Sequence, residues 1–257
     1  MLRFRNLGSG SSGNSTLVEA TGSPTIRVLV DCGLGLKHLT HRLAQAGVQP
    51  EDITALFITH EHADHIGCAR SLALRYRIPV WMSQGTHAAL GSPDFGGLLG
   101  VASDDEAIDL GGLQLMPFTV PHDAREPLQL SCTDGSAKLG ILTDLGHATA
   151  HVLAHLQGCN ALMLECNHDT DMLAQSTYPA FLKRRVGGLY GHLSNLAAAE
   201  IASKVMHQGL KQVVAAHLSE QNNHSTLVQG ILAQALSCSP NDIVVATPGN
   251  GTSWLTV

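Results

Sequence analysis

The chain has 257 residues, 44% of them apolar, with fifteen histidines and a formal net charge of −6 when histidine is neutral. That composition excludes a disordered chain and supplies enough apolar residues for a sizeable core. The acidic balance, with no Lys/Arg run beyond Lys183-Arg184-Arg185, leaves no basic footprint for nucleic acid on charge alone, although two bound divalent ions would make a site strongly positive.

Leu2–Leu7 alternates as a strand and runs into Gly8-Ser9-Gly10-Ser11-Ser12-Gly13. This matches the Gly-x-Gly-x-x-Gly dinucleotide fingerprint, with Asp31 roughly where a ribose-binding acid would stand. The fingerprint needs a helix directly after the glycines. Here Ser15–Glu19 and Ile26–Val30 read as strands joined by Thr21-Gly22-Ser23-Pro24, so the glycine run is expected to be a tight strand connection. Its backbone N–H groups could also face a phosphate. Asp31 ends the third strand and either orients a ligand histidine or caps the next helix. Leu36–Ala46 is amphipathic and stops at Gly47.

The strand Ile53–Ile58 delivers Thr59-His60-Glu61-His62-Ala63-Asp64-His65, and Cys68–Tyr76 follows with helical apolar spacing. While the chain is extended, His60 and His62 point to the same side and can reach one metal together. Asp64 and His65 come where the chain turns and can face a neighbouring position. Imidazole and carboxylate suit zinc and similar divalent metals. One loop cannot fill two coordination spheres, so further ligands are required downstream. Ile78–Met82 reads as another strand, and Gly91–Gly100 as a glycine-rich loop that either covers a site or only connects.

The second half continues the alternation. Leu113–Val120 is a strand that delivers His122, and Leu128–Cys132 with Lys138–Leu142 forms a hairpin that delivers Asp144. A helix over Ala148–Leu156 precedes the strand Ala161–Glu165, which runs into Cys166-Asn167-His168-Asp169. Tyr178–Val186 reads as a basic helix. Gly191-His192-Leu193-Ser194-Asn195 opens a helix to about His207, with Ser194 or Asn195 as its cap. Gln212–Ala216 is a strand that delivers His217, and a helix near Leu227–Leu236 and strands over Ile243–Ala246 and Ser253–Val257 close the chain. No linker interrupts this pattern, which predicts a single domain over residues 1–257. The six cysteines form no Cys-x-x-Cys pair and read as free thiols of a reducing compartment. With no secretory h-region and no apolar run near the ~20 residues of a membrane span, the expectation is a cytoplasmic protein that binds no membrane.

Five separate strand ends thus carry a ligand-type residue: His60, His122, Asp144, His168 and His217. In this pattern the chain resembles the metallo-β-lactamase fold superfamily of dinuclear metallohydrolases. The carrying residues are Asp31, His60-x-His62-x-Asp64-His65, His122, Asp144 and His217, in order. The glycine–serine run, Pro121-His122-Asp123-Ala124, Thr143-Asp144-Leu145-Gly146, Glu165-Cys166-Asn167-His168-Asp169, Gly191–Asn195 and Ala216–Ser219 are similar to the bacterial WalJ/YycJ group, related to the ribonuclease Z and phosphonate phosphodiesterase branches.

The resemblance implies an α/β fold built as a four-layer αββα sandwich. It also implies phosphodiester hydrolysis, and for this group a 5′ exonuclease on DNA. It implies one metal on His60, His62 and His122, a second on Asp64, His65 and His217, and Asp144 bridging them. Zinc is the leading choice, with manganese or iron also suited to the ligands. A hydroxide shared by metals ~3.5–4 Å apart would be the nucleophile. Asp64 could accept or steer its proton, and His192, ahead of His168, could protonate the leaving group. Arg184 and Arg185 could hold substrate phosphates, or lie on a solvated helix face. Two rival readings stand beside this one. A thioester, lactone or cyclic phosphodiester hydrolase could use the same metals. A redox or non-catalytic metal module is the other, but a diiron redox site would favour a carboxylate near position 62, where this chain has histidine.

Overall fold

The computed structural model describes residues 1–257 and contains two seven-stranded sheets. The first sheet is built from β1 (Leu2–Gly8), β2 (Ser15–Ala20), β3 (Ile26–Val30), β4 (Ala55–Phe57), β5 (Val80–Met82) and β6 (Leu99–Val101). The second contains β7 (Ile108–Asp109), β8 (Gln114–Thr119), β9 (Leu128–Thr133), β10 (Lys138–Leu142), β11 (Ala161–Glu165), β12 (Gln212–Ala216) and β13 (Ile243–Val245). The last strand, β14 (Leu255–Thr256), returns to the first sheet and pairs antiparallel with β1. Nine helices join or flank these strands: α1 (Leu36–Gln45), α2 (Ala63–Ile66), α3 (Ala69–Tyr76), α4 (Gln84–Ala89), α5 (Ala150–Leu156), α6 (Thr170–Gln175), α7 (Ala180–Val186), α8 (Asn195–Val205) and α9 (Ser225–Leu236).

Three apolar clusters define the layers. Phe4, Val18 and Phe57 of the first sheet meet Leu115, Ile141 and Met163 of the second in a core between the sheets. Leu39, Leu43 and Leu72 pack α1 and α3 against the outer face of the first sheet. Val152, Ala202 and Leu232 pack α5, α8 and α9 against the second. This is the αββα sandwich that the family resemblance implies. Central strands are covered on both faces, so they read as continuous apolar runs; all five residues of β11, Ala-Leu-Met-Leu-Glu, are buried. No helix is long and apolar enough to cross a membrane, and all six cysteines are unpaired.

Most predicted elements form near their predicted bounds, and Ser194 is the cap of α8, accepting from the Ala197 N–H at 3.2 Å. The glycine run is a strand connection between β1 and β2, not the opening of a helix. Gly91–Gly100 is a connection whose Phe95 is buried in the layer of α1 and α3, and its last residues begin the edge strand β6.

Parallel pairing of β3 with β4, and of β10, β11 and β12, sets the carboxyl ends of these strands side by side. That end of an α/β sheet collects sites, because loops leave it in register. The approach of neighbouring loops is close: a methyl group added at Gly33 would meet the backbone carbonyl of Asp64. Gly33→Ala is therefore expected to destabilise the protein by about 1–3 kcal/mol, the usual range for overpacking, read as a lower urea midpoint at unchanged slope.

Candidate metal centre

The loop after β4 carries His60 and His62, and the single turn α2 holds Asp64 and His65. His122 follows β8, Asp144 follows β10 and His217 follows β12. All seven expected ligand residues converge at one end of the sandwich. Ligand atoms of His60, His62 and His122 lie within 4.8 Å of one another, as do those of Asp64, His65 and His217. Asp144 forms such groups with His60 and His65 and also with His192 and His217, so it stands between the two clusters.

Hydrogen bonds orient the rings. His65 Nδ1 is 2.8 Å from Asp31 Oδ2, and Asp31 Oδ1 accepts the Thr59 N–H at 2.9 Å. Asp31 therefore orients a histidine; the residue before α1 is Gly35. His122 Nδ1 donates to the Gly191 carbonyl at 3.1 Å, His60 Nδ1 meets Thr59 Oγ1 at 3.0 Å, and His217 Nδ1 lies 3.2 Å from Glu165 Oε1. Each contact uses Nδ1 and turns Nε2 toward the other ligand side chains, the nitrogen that would ligate. His60 Nε2 and His217 Nε2 are buried with no hydrogen-bond partner, and the buried Asp144 Oδ2 has only the His65 Nε2 beside it, at 2.8 Å. Such orphaned atoms are costly in a folded interior, and a cation at each of the two clusters would satisfy them. The donor set of imidazoles and carboxylates fits divalent metal ions.

Charge follows the same arrangement. Burial opposes the charge of His65, but the Asp144 and Asp31 carboxylates outweigh it and push the imidazole up to about 10. Burial likewise opposes His217, which Asp144 and Asp64 hold well above the ordinary histidine range. Burial, reinforced by neighbouring His65, holds His60 well below it.

The cavity beside these groups is lined by Ser11, Asp64, Asp123, Arg185, His192 and His217, among others. His192 Nδ1 is 2.7 Å from Glu165 Oε1, which leaves Nε2 for the cavity. Against the effect of burial, Glu165 and Asp144 push His192 up to about 9. His168 is not brought to the cavity. Its ring is buried, and its backbone carbonyl accepts the Asn195 N–H at 2.8 Å. Arg185 reaches the wall, with Nε 2.6 Å from Asp123 Oδ2. Arg184 does not line the cavity, and Lys183 Nζ donates to the Ala174 carbonyl.

Three residues of the site carried no individual role in the sequence. Buried Glu165 joins His192 and His217 and accepts the Leu145 N–H at 2.8 Å. Asn14 Nδ2 reaches Asp64 Oδ2 at 3.3 Å and His65 Nε2 at 3.1 Å, which puts the glycine–serine loop to work beside the site. Thr59 joins Asp31 to His60. The available signal for Glu165 was a lone acid ending an apolar strand.

Residues 8–173 match the Metallo-beta-lactamase superfamily. Over 243 residues the chain is 33% identical to "Exodeoxyribonuclease YycJ" of Bacillus anthracis, covering 91% of this chain and 89% of that one. It is 32% identical over 244 residues to "Exodeoxyribonuclease WalJ" of Streptococcus pneumoniae, with the same coverage. Among solved structures, the metallo-beta-lactamase fold protein YhfI from Bacillus subtilis superposes with a TM-score of 0.76 at 16% identity, covering both chains fully.

Two outcomes are expected from this geometry. Because His65 and His217 hold protons in the metal-free protein and must lose them to ligate, metal binding at pH 7 releases protons and tightens as pH rises; calorimetry in buffers of different ionisation enthalpy would measure this, and a proton count of zero would contradict it. Asp31→Ala, which strips the support from His65, is expected to weaken metal affinity roughly 10–100-fold in competition with a chromogenic chelator.

Proposed function

This chain belongs to the metallo-β-lactamase superfamily and is a metal-dependent hydrolase, and from that premise we propose that it is a nuclease, a 5′ exonuclease acting on DNA in preference to RNA. The observation that carries the reading is the convergence of two imidazole-rich ligand clusters on one buried carboxylate, Asp144. The choice of DNA rests on the two relatives that bear the name exodeoxyribonuclease and share about nine-tenths of their length with this chain. The whole of residues 1–257 acts as one catalytic domain in a reducing cytoplasm.

His60, His62 and His122 would hold one divalent ion, and Asp64, His65 and His217 a second, with Asp144 shared between them. Zinc is the first choice of metal. When bound, the ions lower the pKa of water from about 15.7 to about 7 and neutralise charge on the phosphoryl oxygens. Every other part of the chemistry belongs to side chains. Asp64, a quarter exposed at the cavity wall, steers the attacking water and takes up its proton. Arg185 offers the cavity's guanidinium to a substrate phosphate when it releases Asp123.

His192 supplies the proton that the leaving oxygen needs. Glu165 keeps that imidazole charged at neutral pH, and its Nε2 is the nitrogen left over after Nδ1 has bonded to Glu165. An acid whose pKa lies above the working pH remains protonated, so activity falls as pH rises through it.

The test is metal analysis together with a panel of 5′-phosphorylated DNA, matched RNA, a small cyclic phosphodiester and a thioester. DNA is expected to be cleaved from its 5′ end, with cleavage lost in His60→Ala and Asp144→Ala; a thioester turned over faster than any phosphodiester would overturn the reading. His192→Gln is expected to lower kcat by about 10²–10⁴-fold with metal content unchanged. Glu165→Gln removes the charge that raises His192, so the alkaline limb of the kcat profile should move to lower pH; a limb that stays in place assigns the proton to another group.

A further inference from the structure

A second group of metal-ligand side chains lies away from the catalytic cavity. His151 and His155 are four residues apart on α5, so both rings project from one face of the helix, with centroids 4.6 Å apart. The loop joining β6 to β7 brings two carboxylates against that face. Asp104 Oδ1 is 2.9 Å from His151 Nε2, and Asp105 Oδ1 is 3.0 Å from His155 Nε2. The ligand atoms of Asp105, His151 and His155 all lie within 4.8 Å of one another. None of these residues lines the catalytic cavity. We propose that Asp105, His151 and His155, with Asp104 beside them, form a separate site for a zinc-class divalent cation.

The side chains are held in place by other contacts. The His155 ring stacks on Phe118, with centroids 4.7 Å apart and planes 12° apart. Asp104 Oδ1 also accepts the Thr119 N–H at 2.6 Å. Phe118 and Thr119 end β8, the strand that runs into His122. The nearest cation, Lys138, is committed elsewhere: its Nζ donates to the His155 and Gln157 carbonyls at 2.7 and 3.1 Å. It does not pair with the carboxylates.

Two observations favour a cation over a plain pair of ion bridges. Burial holds the His155 imidazole below its ordinary range, with His151 adding to the effect against the pull of Asp105. A neutral imidazole makes only a weak bridge to a carboxylate but is the form that ligates metal. The donor chemistry is also selective. Two imidazoles with carboxylate oxygens suit zinc, cobalt or nickel, whereas calcium and magnesium prefer all-oxygen shells. Around a tetrahedral zinc, donor atoms stand ~3.3–3.5 Å apart given bonds of about 2.0–2.1 Å, so the present group needs only rotamer-scale closure. A cation here would tie the segment that passes from one sheet to the other onto α5.

The test compares the full-length protein with the His151→Ala/His155→Ala double variant. Both are stripped with chelator, reloaded with Zn²⁺ and assayed for bound zinc, with circular dichroism confirming the fold. The unaltered catalytic ligands are common to both proteins, so they cancel. The wild type is expected to bind one equivalent more than the double variant, and to gain in Tm with zinc over a concentration range where the variant does not. Equal stoichiometry and equal zinc-dependent Tm shifts would overturn the proposal, including the case in which the variant is merely less stable. Should the double variant fail to fold, Asp105→Asn serves instead, because its side chain is 64% exposed. It is expected to weaken the additional equivalent roughly tenfold or more, and an unchanged zinc isotherm would overturn the proposal equally.

Discussion

Burial of ionisable groups is the constraint on which the rest of this structure depends. His60, His65, His122, Asp144, Glu165 and His217 are all largely withdrawn from water. Isolated charges in such a place are prohibitive, and even paired ones must satisfy every lone pair to break even. The protein meets part of this cost with a closed set of partners: Asp31 on His65, Glu165 on His192 and His217, and the Gly191 carbonyl on His122. Among these groups, His60 Nε2 and His217 Nε2 are left without a partner, each within one of the two ligand clusters. The same atoms define where cations belong, so metal binding is tied to folding and to proton release.

The sandwich exists to hold those groups still. His60, His62, Asp64 and His65 come from the first sheet, whereas His122, Asp144 and His217 come from the second. The centre can assemble only if the two sheets keep a fixed offset, and the core between them does this with interdigitated side chains such as Phe57 and Met163. The backbone has unusual conformations at the same end. Asp31 and His217 both adopt left-handed φ values, 61° and 55°, which non-glycine residues seldom do. The His217 N–H is then held by Ser9 Oγ at 2.7 Å, across from the glycine–serine loop. Strain of this kind persists where surrounding structure over-determines it.

How far the site could be read in the chain follows from the same physics. Ligating residues were legible because metal chemistry restricts residue type and the strand ends repeat the signal: His60-x-His62-x-Asp64-His65, then His122, Asp144 and His217. Long buried strands and α1 were legible from their periodicity. The short edge strands β6 and β7, and the short helices α4 and α6, fell below that threshold, since two to six residues scarcely complete one period. Asp31 was read as a residue that could orient a histidine, but other residues that orient the site escaped. A threonine or asparagine next to a histidine has many ordinary uses, and only coordinates show that Thr59 and Asn14 touch the ligands. His168 illustrates the converse. Its position after β11 matches the other strand ends, yet the backbone there bridges Ser194, and the buried ring is not among the residues that line the cavity.

Glu165 shows why a supporting carboxylate can matter as much as a ligand. Its Oε1 stands 2.7 Å from His192 Nδ1 and 3.2 Å from His217 Nδ1, while Oε2 accepts the Leu145 and Leu193 N–H groups. One oxygen therefore faces two imidazoles that the proposed roles would set opposite needs: His192 to keep a proton to give away, and His217 to present a bare Nε2. Both needs are met through Nδ1, because a hydrogen bond there raises the basicity of the ring while fixing which nitrogen is left over. The shorter contact goes to the ring that must stay charged. The backbone bonds to Oε2 anchor the carboxylate to the loops after β10 and before α8, so His192 and His217 share one pivot at the end of β11.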